Sequence, residues 1–381
     1  MHLVELLAAR SRPAAALLMT LTRRCPLSCA HCSTASTADA EQLDAALLTG
    51  FAATFTPDDR PDFLLLTGGE PLLRPRLVQD LARLARAAGT RTQLLTGMFF
   101  ARDARRGGIA PGIAAALAAV DHVAASLDVF HEAQVPRARI LGVLRDLLDA
   151  GKDVSVQVTG LGPDDPYLAD VTDDVRRTFD DRVPVLVAGV RAAGRAAQWL
   201  SASRVADAPP AAGRGRIAAA PCAMAAWPVV AFDGTVVACC NQNVVDGRAG
   251  SAQGGTGGFP GHLRLGHVAD DGWPAVRRAL VERPLLRGIR AFGPQYLADA
   301  LAPGADSGRG CAGYCGTCVS ALAAPGASAA ADAFMARAGT RVLEGEINRL
   351  VQERGADGFL ARHAVAAYRD LAVLGAPAGR A

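Results

Sequence analysis

The stretch Leu17-Leu18-Met19-Thr20-Leu21-Thr22-Arg23-Arg24-Cys25-Pro26-Leu27-Ser28-Cys29-Ala30-His31-Cys32 joins a short apolar run to a CxxxCxxC cluster. Residues 17–21 read as a strand, and the cysteines as the loop that follows it. Three thiolates on one short loop converge on one side of a cube-shaped iron–sulfur cluster and leave one iron without a protein ligand. An open metal position separates a catalytic site from a closed structural one, and it allows the iron to chelate a small molecule. His31 lies inside the loop, where packing over a cluster suits it better than ligation. A zinc knuckle built from Cys25, Cys29, Cys32 and His31 fits poorly, because zinc sites favour two ligand pairs separated by a longer spacer.

Outward from this loop, strand and helix alternate. Residues 43–55 have helical spacing, 63–66 read as a strand ending in Thr67-Gly68-Gly69, and 77–88 as an amphipathic helix. Residues 92–95, 122–127, 154–158 and 183–187 read as strands, and 113–119, 140–150 and 171–179 as helices. Repeated strand–helix units with short loops imply a parallel sheet covered by helices. Six units give an α/β fold, a partial (β/α)6 TIM-like barrel over residues 1–200. Chemistry in such barrels sits at the C-terminal ends of the strands.

The texture changes near residue 200. Residues 206–220 are rich in Ala, Pro and Gly and read as a linker, and 229–237 as a hairpin turning at Asp233-Gly234. A Gly-rich loop over 247–261, a helix over 273–289, a tight cysteine loop over 311–318 and a helical stretch over 330–374 follow. These features predict a small cluster domain over residues 201–322 and a helical tail over 323–381.

Bulk properties narrow the function. The formal charge of +3 gives no support for a nucleic-acid or polybasic membrane surface. Lys152 is the only lysine, and it sits in an ordinary helix–strand connection, so lysine-nucleophile mechanisms are set aside. No apolar run reaches the ~18–20 residues needed to span a bilayer. The first residues lack the pattern of a signal peptide, which points to the cytoplasm. The nine cysteines are odd in number and clustered, which favours metal binding over disulfides.

The motif Cys25-Pro26-Leu27-Ser28-Cys29-Ala30-His31-Cys32, paired with Thr67-Gly68-Gly69-Glu70-Pro71 after the second strand, resembles the radical S-adenosylmethionine (SAM) superfamily. The resemblance covers roughly residues 17–200. It implies a [4Fe–4S] cluster on Cys25, Cys29 and Cys32, with SAM chelated to the open iron. One electron, from a donor such as flavodoxin or ferredoxin, then cleaves SAM to a 5′-deoxyadenosyl radical that takes a hydrogen atom from substrate. The same resemblance makes Thr67, Gly68, Gly69, Glu70 and Pro71 SAM-binding residues, the two glycines letting backbone approach a ligand and Glu70 accepting from its ammonium group. Ser126 and Asp128 are expected on the ribose or carboxylate of SAM, and Phe130 and His131 near the substrate. Arg195 or Arg191 is expected on a SAM or substrate carboxylate.

The second cysteine group follows the pattern Cys222, Gly234-x4-Cys239, then Cys311-x3-Cys315-x2-Cys318. It resembles the SPASM or shorter twitch extensions of radical SAM enzymes, which hold auxiliary clusters. The longer second run of cysteines of a full SPASM domain is missing, which favours one auxiliary [4Fe–4S] cluster. The expected ligands are Cys222, Cys239, Cys315 and Cys318, with Cys240 and Cys311 as substitutes. An unused Cys240 or Cys311 is a buried spectator or a hydrogen-atom donor that quenches a substrate radical. A closed zinc site from four of these cysteines is the competing assignment. The resemblance implies maturation of a ribosomally made peptide, by crosslinking or epimerisation, with a separate leader-binding protein as a partner. The alternative substrate is a small natural-product intermediate such as an amino sugar. A non-catalytic electron carrier needs no SAM pocket, and the Gly68-Gly69-Glu70-Pro71 motif argues against it.

Overall fold

Helix α1 (Leu3–Ala9) leads into strand β1 (Ala16–Thr20), and four more strands follow in order: β2 (Phe63–Thr67), β3 (Arg91–Thr96), β4 (His122–Ser126) and β5 (Asp153–Gly160). Strand β6 (Val185–Gly189) completes the set. The computed structural model describes residues 1–103, 108–200, 218–248, 258–302 and 313–377. All six strands pair in parallel with their chain neighbours, so their C-terminal ends share one rim. Helices α2 (Ala45–Ala52), α3 (Pro75–Ala88), α4 (Pro111–Ala119), α5 (Arg137–Asp149) and α6 (Pro166–Phe179) connect them. The result is a partial (β/α)6 barrel, as the alternation predicts.

Local chemistry explains the helices. In α3, Pro75 opens the first turn, Gly89 closes the last in the left-handed conformation, and Leu77, Val78, Leu81, Ala82, Ala85 and Ala88 face the core. Helix α1 plugs the N-terminal end of the barrel. Its Glu5 pairs with Arg91 at the start of β3 at 2.7 Å, and the carbonyl of Met1 meets His122 at the start of β4 at 2.8 Å.

The hairpin falls where Asp233-Gly234 predicts it, with β7 (Val229–Val230) and β8 (Thr235–Val237) antiparallel. It does not stand apart. Strand β7 pairs in parallel with β1, Leu18 opposite Val229, and β9 (Arg264–His267) adds a further strand, so one sheet of nine runs β6-β5-β4-β3-β2-β1-β7-β8-β9. One hydrophobic cluster includes buried residues of both parts, from Leu17 and Met19 to Val236 and Val237. At the opposite edge, Val365 N–H donates to Val187 O at 3.0 Å, so the tail covers β6.

The expected single helix over 273–289 is two: α7 (Trp273–Glu282) and α8 (Pro284–Phe292). Pro284 disfavours helical backbone at Arg283, which is extended at ψ 121°. Helices α9 (Pro294–Leu301), α10 (Gly313–Ser320), α11 (Ala327–Ala336), α12 (Ala338–Glu353) and α13 (Gly355–His363) complete the described helical part. Among the described residues, no single helix is long and apolar enough to cross a membrane.

Candidate functional site

The cysteine loop leaves β1 at the C-terminal rim, and three neighbouring connections hold it. The first is the segment after β2. Gly69 N–H donates to Thr22 O at 2.6 Å and Glu70 N–H to Arg24 O at 2.8 Å. A Cβ on Gly68 would lie 2.4 Å from Thr22 O, and one on Gly69 would lie 2.3 Å from Arg24 O. The close approach that these glycines permit is therefore to the chain's own backbone at the base of the loop. Thr67 ends β2, its carbonyl accepting from Leu21 N–H at 2.8 Å, and Pro71 opens a single 3-10 turn.

Glu70 is fully buried. Its carboxylate accepts from Leu72 N–H (2.9 Å), Gly97 N–H (2.9 Å) and the Thr96 hydroxyl (3.0 Å). Burial pushes it up to about 7 against those donors. Its visible work is to lock the end of β3 to the turn after β2.

The second connection follows β4. Asp128 caps a short helical turn, Val129–Glu132, by accepting from Phe130 N–H and His131 N–H, a turn absent from the sequence-based expectation. Its other oxygen accepts from His131 Nδ1 at 2.9 Å and lies 3.3 Å from His31 Nε2. Burial raises the carboxyl, but His131 and then His31 outweigh it and hold Asp128 well below the usual carboxylate range. Burial likewise opposes charge on His131, but Asp128 and then Cys29 hold it up to about 10. His31 stacks on Phe130 with ring centres 4.6 Å apart, consistent with packing rather than ligation. Its Nδ1 is buried without a hydrogen-bond partner. Ser126, half-buried at the end of β4, is near this cluster in the chain and spends its hydroxyl on no described partner.

Gln134 is a residue that the sequence did not single out. Its Oε1 accepts from Ser28 N–H at 2.7 Å, and its Nε2 donates to Cys29 Sγ at 3.3 Å. One amide thus braces the middle cysteine, from 105 residues away in sequence.

The third connection follows β6. Arg195 donates from its backbone to Cys32 O (2.9 Å), from Nε to Cys29 O (2.9 Å) and from Nη1 to Ser36 O. Gly194, at φ 54°, would place a Cβ 2.3 Å from Ser33 O. Trp199 Nε1 donates to Ala30 O at 3.0 Å. The guanidinium of Arg195 is committed to loop carbonyls, which no sequence motif announces.

The trio itself is half-buried to buried. Burial, then Glu70 and the two other thiols, push Cys25 up to about 12, partly offset by Leu27 N–H. Burial also acts on Cys32, but the Thr34 hydroxyl, Ser36 N–H and Arg195 outweigh it and lower that thiol. Three sulfurs that repel one another as thiolates, on a braced loop beside an unpartnered imidazole nitrogen, suit a positively charged metal core.

The C-terminal group assembles in the same way. Burial raises Cys222, Cys239 and Cys318. Charge on Cys315 adds to Cys222 and Cys318, and charge on Cys240, then Cys318 and Cys222, adds to Cys239, so these sulfurs share one neighbourhood. Cys240 also contacts Arg10 and Met224, with its sulfur 3.1 Å from Arg10 Nη2 and 3.1 Å from Met224 Sδ. Cys311 lies outside the described residues. His262 brings Nε2 to 3.8 Å from Cys318 Sγ and leaves Nδ1 buried without a partner.

Among the described residues, the one set of three metal-donor atoms within 4.8 Å of one another is His31, Asp128 and His131, at hydrogen-bond separations. Among the described residues, neither cysteine group packs three sulfurs that closely. The edges of a tetrahedral zinc–thiolate site are about 3.8 Å for Zn–S bonds of about 2.3 Å.

Fold and site together define a partial (β/α)6 barrel with a three-cysteine loop at the C-terminal end of its first strand. Residues 19–181 match the family model described as the Radical SAM superfamily. No curated protein is matched by the sequence. Among solved structures, anSMEcpe with bound AdoMet is similar at 14% identity, covering 68% of this chain and 76% of that one, with a TM-score of 0.43. SuiB of Streptococcus suis bound to S-adenosylmethionine is similar at 15% identity, covering 74% and 69%, with a TM-score of 0.43. SuiB bound to its precursor peptide SuiA gives 17%, 48% and 40%, with a TM-score of 0.35.

Proposed function

We propose that the chain is a radical SAM enzyme that abstracts a hydrogen atom from a peptide substrate, with a second iron–sulfur site in its C-terminal part. The braced Cys25–Cys29–Cys32 loop at the barrel rim carries this reading. Cys25, Cys29 and Cys32 would hold a [4Fe–4S] cluster, which supplies one-electron cleavage of SAM to a 5′-deoxyadenosyl radical. The chain's own residues supply position. Gly69, Glu70, Gln134 and Arg195 fix the loop backbone from three directions, and the His31–Asp128–His131 group builds a buried polar wall beside Cys29. Ser126, with its unspent hydroxyl, is the proposed contact to SAM on that wall.

Cys222, Cys239, Cys315 and Cys318 are the proposed ligands of an auxiliary cluster. Their shared neighbourhood supports that assignment; Cys240, at its edge, is held by Arg10 and Met224. The peptide substrate follows from the resemblance of the cysteine pattern to peptide-maturing enzymes, an analogy of family rather than of geometry.

Iron and sulfide analysis of anaerobically reconstituted protein tests the cluster assignment. Wild type is expected to hold about 8 irons per chain, and the variant with Cys25, Cys29 and Cys32 changed to Ala about 4. A fall from about 4 to zero would remove the auxiliary cluster from the account.

A further inference from the structure

The C-terminal cysteines lie among guanidinium groups that have no carboxylate partners. Arg10 is 8% exposed. It donates from Nη2 to Cys240 Sγ and to Met224 Sδ, each at 3.1 Å, and its guanidinium lies 4.3 Å from the ring centre of Trp227. Arg290 donates only to the carbonyls of Leu280 (2.7 Å) and Val281 (3.2 Å), and Cys222 is within its electrostatic reach. Arg362, at the exposed edge of this neighbourhood, donates to Pro221 O, beside Cys222, and lies over Tyr314 at 4.9 Å. Among the described residues none of the three forms an ion pair. The carboxylate of Glu344, which also reaches Arg290, is held bidentately by Arg287.

Sulfur and carbonyl acceptors do not neutralise the buried Arg10 or the half-buried Arg290, and an uncompensated buried charge is costly. His363 registers the same field: burial, then Arg191, Arg362 and Arg10, hold it down to about 4. The neighbourhood is short of negative charge. An iron–sulfur cluster ligated by four thiolates supplies it, because the thiolates outweigh the positive core.

We propose that Arg10, Arg290 and Arg362 are the counter-charges of an anionic cluster on the C-terminal cysteines and raise its reduction potential. The proposal rests on the reading of Cys222, Cys239, Cys315 and Cys318 as cluster ligands. The arginines act as positioning and tuning residues. Reduction adds a further negative charge to the cluster, so nearby cations stabilise the reduced form more than the oxidised one.

The test starts from the variant with Cys25, Cys29 and Cys32 changed to Ala, reconstituted with iron and sulfide so that only the C-terminal site contributes. Iron is counted first, and the midpoint potential is then measured by spectroscopic redox titration. The same is done with Arg10→Gln and Arg362→Gln added, and with Arg10→Lys and Arg362→Lys as charge-preserving controls. Each glutamine variant is expected to retain its iron and to lower the reduced-to-oxidised ratio at fixed potential by about tenfold. That ratio corresponds to a shift of about 59 mV for a one-electron couple. The lysine variants are expected to recover most of the shift. Iron lost with glutamine but kept with lysine also supports a charge requirement. Unchanged midpoints in both glutamine variants overturn the proposal and leave the cluster assignment standing. Iron lost equally with glutamine and lysine overturns it as well, by making the arginines structural. No iron in the starting variant overturns the cluster assignment itself.

Discussion

Changing Gly69 to Ala adds one methyl group where the cysteine loop rests on the segment after β2. That methyl would lie 2.3 Å from Arg24 O and 2.6 Å from Arg23 O. Both are backbone atoms, so no side chain can swing aside. Overpacking of this kind costs about 1–3 kcal/mol. Relief requires the loop to lift, which breaks the bonds from Gly69 N–H to Thr22 O and from Glu70 N–H to Arg24 O, worth about 1 kcal/mol each. The expected destabilisation is about 3–5 kcal/mol, a large share of the ~5–15 kcal/mol that holds a typical domain together. Gly50→Ala is the matched control. Gly50 lies inside α2, with nothing within 4 Å of an added Cβ, and the change there should stabilise by up to about 1 kcal/mol. Urea unfolding followed by circular dichroism reads both, and iron content after reconstitution reads the loop. A Gly69→Ala protein with the wild-type midpoint and full iron would refute the account of why this glycine is here.

Two further outcomes follow from the same geometry. Arg195→Gln should weaken the cysteine loop by about 3 kcal/mol, since two charged-donor bonds to Cys29 O and Ser36 O are lost. Arg195→Lys should rescue little, because an ammonium cannot reproduce the spread of a guanidinium; faster loss of iron to a chelator in both variants checks this. Acid sensitivity should track His122, whose Nδ1 donates to Met1 O and whose Nε2 accepts from Ser155. Burial holds it down to about 4 from an ordinary 6.5. The unfolded chain therefore takes up the proton first. The His122 contribution is complete above pH 6.5 and falls by about 3 kcal/mol as pH drops towards 4. In unfolding titrations across that window, His122→Gln should flatten the slope, and an unchanged slope would assign the acid sensitivity to other groups.

The barrel was legible in the sequence because each strand–helix unit carries its signal locally. The apolar runs at 63–66, 92–95 and 183–187 mark the strands to within a few residues of β2, β3 and β6. The cysteine spacing likewise marked the loop, whereas the Gly68-Gly69-Glu70-Pro71 motif, read as SAM-binding, meets the loop's own backbone. Side-chain direction was not legible. Arg195 reads as a free cation beside a β6 turn, yet its acceptors lie about 160 residues earlier in the chain. Glu70 reads as a ligand-facing carboxylate, yet three donors from its own connection and β3 surround it. Gln134 and His262 carry no motif at all; only the folded chain brings them to Cys29 and Cys318. Helix α1 was missed for a related reason. Seven residues show too little periodicity to separate a packed helix from an apolar leader, and its stability comes from the barrel end that it covers.

The measurement that bears most directly on the central claim is 5′-deoxyadenosine formation. Anaerobically reconstituted protein is mixed with SAM and dithionite, and the products are separated and identified by mass. The account predicts 5′-deoxyadenosine and methionine from wild type and none above background from the variant with Cys25, Cys29 and Cys32 changed to Ala. Equal product from both, or none from an iron-loaded wild type, would contradict it.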